Sequence, residues 1–347
     1  MKKIKIGNRY IGEDEPTYIM AEIGANFDGN LEQAKKMVDL AKEVGADAAK
    51  FQSFMPEKIV ARKGFENKMS FQAKWKKPVY DVYSDAMFPR EWHKEIAEYC
   101  RKKGMDFISA PYDKEAVDLL EQIGVPAYKI GSGDVTFLSL VRYIAEKGKP
   151  IIMGTGACTL GEIEEAVSTI RNTGNQNIVL LQCVTNYPSP FEHANIRAMV
   201  AMAETFDVMV GYSDHTPGSV VPLGAVALGA CVIEKHFTFD KTREGPDHPF
   251  AMDVPEMTSM VRDIRLLEQA MGSKKKEITP SEAETQIVQR RSLFSRVDIP
   301  AGIVITEDMI EVLRPQTGIL PGSISLVVGR KAKVDISEGE PITWDKI

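Results

Sequence analysis

Residues 207–238, DVMVGYSDHTPGSVVPLGAVALGACVIEKHFT, decide the fold. They hold two short apolar runs, DVMVGYS from Asp207 and ACVIEKH from Ala230, which close on His215 and His236. Short runs with little apolar–polar alternation are the mark of parallel strands buried on both faces. The apolar stretch from Val220 to Ile233 is too short to span a bilayer and is broken by Pro222, Gly224 and Gly229.

Six more such runs lie upstream: YIMAEIG from Tyr18, ADAAKFQ from Ala46, MDFISA from Met105, PAYKIGSG from Pro126, KPIIMGTG from Lys149 and NIVLLQC from Asn177. Between them stand amphipathic helical segments such as LEQAKKMVDLAKEVG and KEAVDLLEQIG, several followed by the glycine expected at a helix C-terminus. Eight strand-helix units in roughly 250 residues predict a TIM (β/α)8 barrel. In that architecture chemistry sits at the C-terminal ends of the strands. The insertion from Ser53 to Phe88, with Trp75, Tyr80 and Tyr83, reads as a loop over the barrel mouth or as simple decoration.

The remaining chain sets the domain plan. At 347 residues and 44% hydrophobic content, a large and a small domain are expected. Residues 1–16 read as a hairpin turning at Gly7-Asn8, and the barrel domain extends over 1–275. A charged linker spans 276–288, and a smaller domain fills 289–347. That domain carries an internal repeat, VDIPAGIVITEDMI from Val297 and VDISEGEPITWDKI from Val334. Each copy is expected to form a strand, a Gly turn and a helical turn capped by Thr306 or Thr343, with Asp308 or Asp345 near its start.

Composition narrows the function. A formal charge of -6 argues against nucleic acid as a partner, so any phosphate must be held locally. Four scattered cysteines and a start without a signal-like apolar core point to a cytoplasmic protein with no membrane partner.

Polar residues at strand ends are the candidates. Glu22 among apolar neighbours calls for either an ion-pair partner or a catalytic task. Lys50 and Lys129 would form an anion site, with Ser132 between Gly131 and Gly133 and with Thr155 in GTG completing a phosphate cradle. His215 and His236 end neighbouring strands and are expected to hold a divalent metal, leaving positions open for water or substrate. Asp134 would contact a metal-bound water or lie on the surface, and Glu22 or Asp134 would manage protons as the catalytic residues. Gln52, Tyr187 and Asp247 are candidates for hydrogen bonds to a polyol.

AEIGANFDG, K-x-Q at Lys50 and Gln52, KIGSGD from Lys129, GTGA around Thr155, GYSDHT, EKHFT and GPD together resemble the sialic acid synthase (N-acetylneuraminate synthase) family. The resemblance covers essentially the whole chain, and LRPQTGI around Arg314 is similar to that family's antifreeze-like (SAF) domain. It implies a transferase that condenses phosphoenolpyruvate with N-acetylmannosamine. The alternative is a 6-deoxy-2,4-diacetamido sugar of the legionaminic or pseudaminic type. By resemblance Lys50, Lys129, Ser132 and Thr155 bind phosphoenolpyruvate, and His215 and His236 hold Mn²⁺ or Mg²⁺. Glu22 corresponds to an active-site glutamate, and Gln52, Tyr187 and Asp247 to sugar contacts. Arg314 corresponds to an arginine reaching the neighbouring subunit's sugar, which implies a domain-swapped homodimer. Ala110, Gly154 and Thr185 depart from residues common in relatives and leave the choice of sugar open. Two other readings are a Schiff-base aldolase using Lys129 or Lys50, and an ice- or carbohydrate-binding protein built on the C-terminal segment.

Overall fold

The computed structural model describes residues 3–65, 72–73 and 75–347. Met1 and Lys2 of the expected hairpin, and residues 66–71 and 74 of the expected insertion, lie outside the described residues. The chain divides into two compact units, Met1–Gly272 and Ser273–Ile347.

Every apolar run of the first unit forms a strand. They are β3 (Tyr18–Glu22), β4 (Ala48–Ser53), β5 (Asp106–Pro111), β6 (Tyr128–Ile130), β7 (Ile151–Gly154), β8 (Ile178–Cys183), β9 (Met209–Asp214) and β10 (Val232–His236). The parallel order is β5-β4-β3-β10-β9-β8-β7-β6, and β5 packs beside β6, so the sheet nearly closes into a TIM barrel. Pairing of β10 with β3 sets His236 opposite Glu22, and pairing of β3 with β4 sets Glu22 opposite Lys50.

Side chains alternate across a strand, so each barrel strand has an inner and an outer set. Ile19, Ala21, Phe51, Met153, Leu180 and Ile233 face outward and pack under the helices. Tyr18, Met20, Ala48, Ile108, Ile152, Val179 and Val232 face inward and fill the N-terminal part of the barrel. The hairpin of β1 (Lys3–Ile6) and β2 (Arg9–Gly12) adds Ile4, Ile6 and Ile11 to this inner cluster, closing the barrel floor.

Helices follow from equally local rules. Leu31–Glu43 buries Ala34, Met37, Val38 and Ala41 on one stripe, and Asn30 caps its start by accepting from Gln33 N. Lys114–Ile123 ends at Gly124, whose φ of 72° is the left-handed conformation that glycine adopts without strain. Among the described residues, no helix is long and apolar enough to cross a membrane.

In the second unit, the end of the stretch read as a linker is helical, over Ala283–Gln289. The strands expected in the repeat shrink to isolated antiparallel bridges, Ile299 to Ile336 between the copies and Val304 to Lys331 and Phe294 to Pro341 beside it, and the longer ladder runs between β11 (Ser292–Ser295) and β12 (Ile310–Leu313). The pseudo-symmetry is reciprocal: Ala301 N donates to Asp335 Oδ1 at 2.7 Å, and Glu338 N to Asp298 Oδ1 at 2.9 Å. Ile299, Ile305 and Ile310 meet their counterparts Ile336, Ile342 and Ile347 in one core.

Candidate active site

The inner set that is apolar at the floor turns polar at the C-terminal end. Glu22, Lys50, Gln52, Lys129, Ser213, Glu234 and His236 are all inner residues, and His215 continues the inner series of β9.

Glu22 is buried without exposure. Lys50 Nζ lies 2.8 Å from Glu22 Oε2, and Gln52 Nε2 donates to Glu22 Oε1 at 2.7 Å. Burial pushes the Glu22 carboxyl up, with Lys50 pulling against it. Burial lowers Lys50, but Glu22 and then Glu234 outweigh it, and the ammonium stays charged.

Glu234, which the sequence reading passed over, is the fourth charge. Its Oε1 lies 3.7 Å from Lys129 Nζ and 4.0 Å from Lys50 Nζ and accepts from Ser213 Oγ at 2.9 Å. Burial raises this carboxyl, yet the two lysines hold it below the usual carboxylate range. The alternation in Val-Ile-Glu-Lys-His is the signal that finds it, because Glu234 must share a face with His236. Lys235 takes the outer face instead and pairs with Asp214 at 2.5 Å, tying β10 to β9.

The turns expected to cradle a phosphate offer space as well as charge. A side-chain carbon on Gly154 would come within 2.8 Å of Ser132 Oγ and 3.2 Å of Lys129 Nζ. One on Gly156 would meet Cys183 Sγ at 2.7 Å and Thr185 Cγ2 at 2.8 Å. Gly156 N donates to Ser132 Oγ at 3.0 Å and to Cys183 Sγ at 3.1 Å. Thr155 departs from the expectation. It lies between the two glycines in the opposite sense, and its hydroxyl donates to Leu181 O at 2.9 Å rather than serving the cradle.

His215 and His236 bring their ring centroids to 5.5 Å. His215 Nδ1 lies 2.7 Å from Val184 O, a contact that assigns the proton to Nδ1 and leaves Nε2 a lone pair. Burial, reinforced by His236, lowers His215 to about 3, so it is neutral, as a metal ligand must be. His236 Nδ1 is buried with no hydrogen-bond partner and lies 3.8 Å from Asp247 Oδ2. A neutral His215 beside a His236 whose Nδ1 is orphaned fits a divalent cation. Among the described residues no third His, Cys, Asp or Glu joins them.

A cavity of about 370 Å³ is lined by the second of these rings, His236. Gln52, Asp134, Tyr187, His236 and Asp247 supply polar atoms to its wall. Asp134 follows Ser132 in the turn after β6, and burial pushes its carboxyl up to about 6. Asp247 Oδ2 accepts from Ala25 N at 2.9 Å, an approach that needs the bare Gly24, whose φ is +52°. Most of the rest of the wall is apolar, with Phe54, Val60, Phe65, Trp75, Val82 and Phe250, and Tyr83 adds a further ring. Described residues of the insertion therefore do line the mouth. Tyr112, also on the wall, is a second residue the sequence reading missed. Arg314 is exposed on the second unit.

Comparison with known proteins follows the same lines. The NeuB family matches residues 37–276 and the SAF domain residues 290–347. An N,N'-diacetyllegionaminic acid synthase of Legionella pneumophila is 38% identical, over 97% of this chain and 96% of that one. A pseudaminic acid synthase of Helicobacter pylori is 37% identical, over 96% of this chain and 98% of its own. Among solved structures, an N-acetylneuraminic acid synthetase from Leptospira borgpetersenii in complex with citrate superposes with a TM-score of 0.74 at 32% identity. That match spans 82% of this chain and 95% of the other.

Proposed function

The chain belongs to the NeuB family, and on that footing we propose that it joins phosphoenolpyruvate to a neutral N-acylated amino sugar and releases phosphate. One observation carries the reading. A lysine-lined cradle, kept empty by Gly154 and Gly156, opens beside the paired rings of His215 and His236 and a sugar-sized cavity.

In this proposal Lys129, Lys50, Ser132 and Gly156 N hold the phosphate and carboxylate, a matter of orientation and electrostatics. His215 and His236 hold Mn²⁺ or Mg²⁺, whose chemistry when bound is Lewis-acid polarisation of a carbonyl. The C2–C3 π electrons of phosphoenolpyruvate attack C1 of the open-chain sugar, forming a carbon–carbon bond and leaving C2 cationic, while the C1 carbonyl π bond breaks and its oxygen takes up a proton to become a hydroxyl. Water adds to C2 of the enolpyruvyl unit, and Asp134, near neutrality in its buried turn, takes the proton from that water. The C2–O bond then breaks and phosphate leaves. Glu22 keeps Lys50 charged and in place. An aldolase needs a neutral amine, and the raised Lys50 beside two carboxylates is the opposite arrangement.

The cavity speaks to the sugar. Among the described residues lining it there is no Lys or Arg, so a sugar phosphate would lack a counter-charge. Its aromatic and aliphatic wall suits methyl and acetamido groups better than a hydroxylated chain. A 6-deoxy-2,4-diacetamido sugar is therefore our first choice, in line with the named legionaminic and pseudaminic relatives. N-acetylmannosamine, giving N-acetylneuraminate, is the second reading, supported by the Leptospira structure. A panel of these sugars with phosphoenolpyruvate, scored by phosphate release, tests the proposal, and no release with any of them overturns it.

We extend the proposal to a homodimer in the cytoplasm. Phe137, Leu160, Phe191 and Val220 are half or more exposed and follow four successive strands, β6 to β9, on the C-terminal rim. Such an apolar arc suits cover by a second copy, to whose sugar Arg314 would belong. The four cysteines are all free thiols, which suits a reducing compartment.

A further inference from the structure

Asp28 lies in the turn after β3, with a φ of 50° that few residues other than Gly, Asn and Asp adopt. Both of its carboxylate oxygens are engaged across the barrel seam. Oδ1 is 2.8 Å from His248 Nε2, while Oδ2 accepts from Gln33 Nε2 at 2.8 Å and from Arg243 Nε at 2.7 Å. His248 is fully buried, and its other nitrogen lies 2.7 Å from Thr238 Oγ1. Thr238 in turn bonds Asp240 N, and its own N donates to Met252 O. The ring also occupies the space beside Gly245, where a side-chain carbon would come within 2.8 Å of it. One aspartate thus ties the loop after β3 to both ends of the loop after β10. Asp247 is the residue next to His248, and its carboxylate accepts from Ala25 N on the loop that carries Asp28.

We propose that Asp28 is a positioning residue that acts through His248 to hold Asp247 at the height and angle the sugar requires. The inference rests on Asp247 being a sugar contact. A carboxylate on a loop of this length samples many positions unless the backbone beside it is pinned, and displacement of a binding group by about 1 Å is enough to lose much of its effect. Gln33 and Arg243 fix Asp28, Asp28 fixes His248, and His248 fixes its neighbour. The contact reaches across 220 residues of sequence, joining the first and last strands of the barrel where they meet.

Steady-state kinetics of the full chain decide the matter, using phosphoenolpyruvate with 2,4-diacetamido-2,4,6-trideoxymannose and with N-acetylmannosamine as the probes. Asp247→Ala should raise the sugar KM about tenfold or more. His248→Phe should raise the sugar KM by about the same factor while leaving the phosphoenolpyruvate KM within about twofold. In the Asp247→Ala background, His248→Phe should add less than about twofold, because its effect passes through Asp247. Asp28→Gly, which the left-handed backbone accepts, should reproduce His248→Phe and serves if the latter does not fold. Asp28→Asn keeps an acceptor for His248 and should restore most of the sugar affinity. Unchanged sugar KM in His248→Phe and Asp28→Gly overturns the proposal, as do losses that add to those of Asp247→Ala or that fall equally on phosphoenolpyruvate. If Asp247→Ala itself binds sugar normally while phosphate is still released, the sugar-contact assignment fails and takes this proposal with it. If no sugar supports phosphate release, the synthase reading fails first.

Discussion

Glu234 faces Lys129 at 3.7 Å inside the barrel mouth, on β10 and β6, strands that are not neighbours in the sheet. The pair is closed to water on both sides, with side-chain exposures of 6% and 4%. Removing one partner of such a pair leaves a buried charge uncompensated, whereas removing both costs far less.

Lys129→Met should therefore lose about 3 kcal/mol of stability by urea denaturation and weaken phosphoenolpyruvate binding at least about 100-fold. Adding Glu234→Gln should restore most of the stability without restoring binding. A double variant that binds phosphoenolpyruvate normally would remove Lys129 from the anion site.

Two neighbouring positions in the β7 turn should behave oppositely. Gly156→Ala puts a methyl against Cys183 and Thr185 in the cradle, so phosphoenolpyruvate affinity should fall at least about tenfold with the fold retained. Thr155→Val removes only a bond to Leu181 O and should cost about 1 kcal/mol of stability with phosphoenolpyruvate KM little changed. Isothermal titration with phosphoenolpyruvate compares the two.

Asp134 sets a pH dependence. Its folded-state carboxyl titrates at about 6, against 3.8 for an unperturbed aspartate, because it is buried. As a base it is charged only above that value, so kcat/KM should rise through about pH 6, and Asp134→Asn should flatten that limb. The linkage runs the other way for stability. A raised folded value means stabilisation that is complete below the unfolded value and is lost as pH climbs through the folded one. Asp134→Asn should accordingly gain on the wild type in thermal midpoint between pH 4 and pH 8.

The imidazole pair should bind Mn²⁺ even without substrates, seen as loss of the free-ion electron paramagnetic resonance signal. His215→Ala or His236→Ala should abolish that loss, and chelation should abolish turnover until Mn²⁺ is returned. Full turnover by chelated enzyme would contradict the assignment.

The barrel was legible because its eight strands are buried on both faces and carry their own apolar signature between amphipathic helices. Site residues at strand ends were legible for the same reason, since Glu22, Lys50, Lys129 and His236 are ionisable groups inside otherwise apolar runs. Applying the two-residue period more strictly would have added Glu234 and removed Thr155, because Gly154 and Gly156 take the inner positions. Contacts between loops were not legible. Nothing local in the sequence says that Asp28 meets His248, or that Asp247 rests on Ala25 N. The repeat promised strands where the structure keeps isolated bridges, because two reciprocal aspartate bonds and a shared isoleucine core hold the copies together.

The central claim is a condensation in which water attacks C2 of the enolpyruvyl unit and the C2–O bond breaks. Phosphoenolpyruvate labelled with ¹⁸O in that bridging position, turned over with the amino sugar and Mn²⁺ and read by mass spectrometry of the phosphate, tests it most directly. The account predicts sugar-dependent phosphate that retains the label. Unlabelled phosphate, or release that proceeds equally without the sugar, would contradict it.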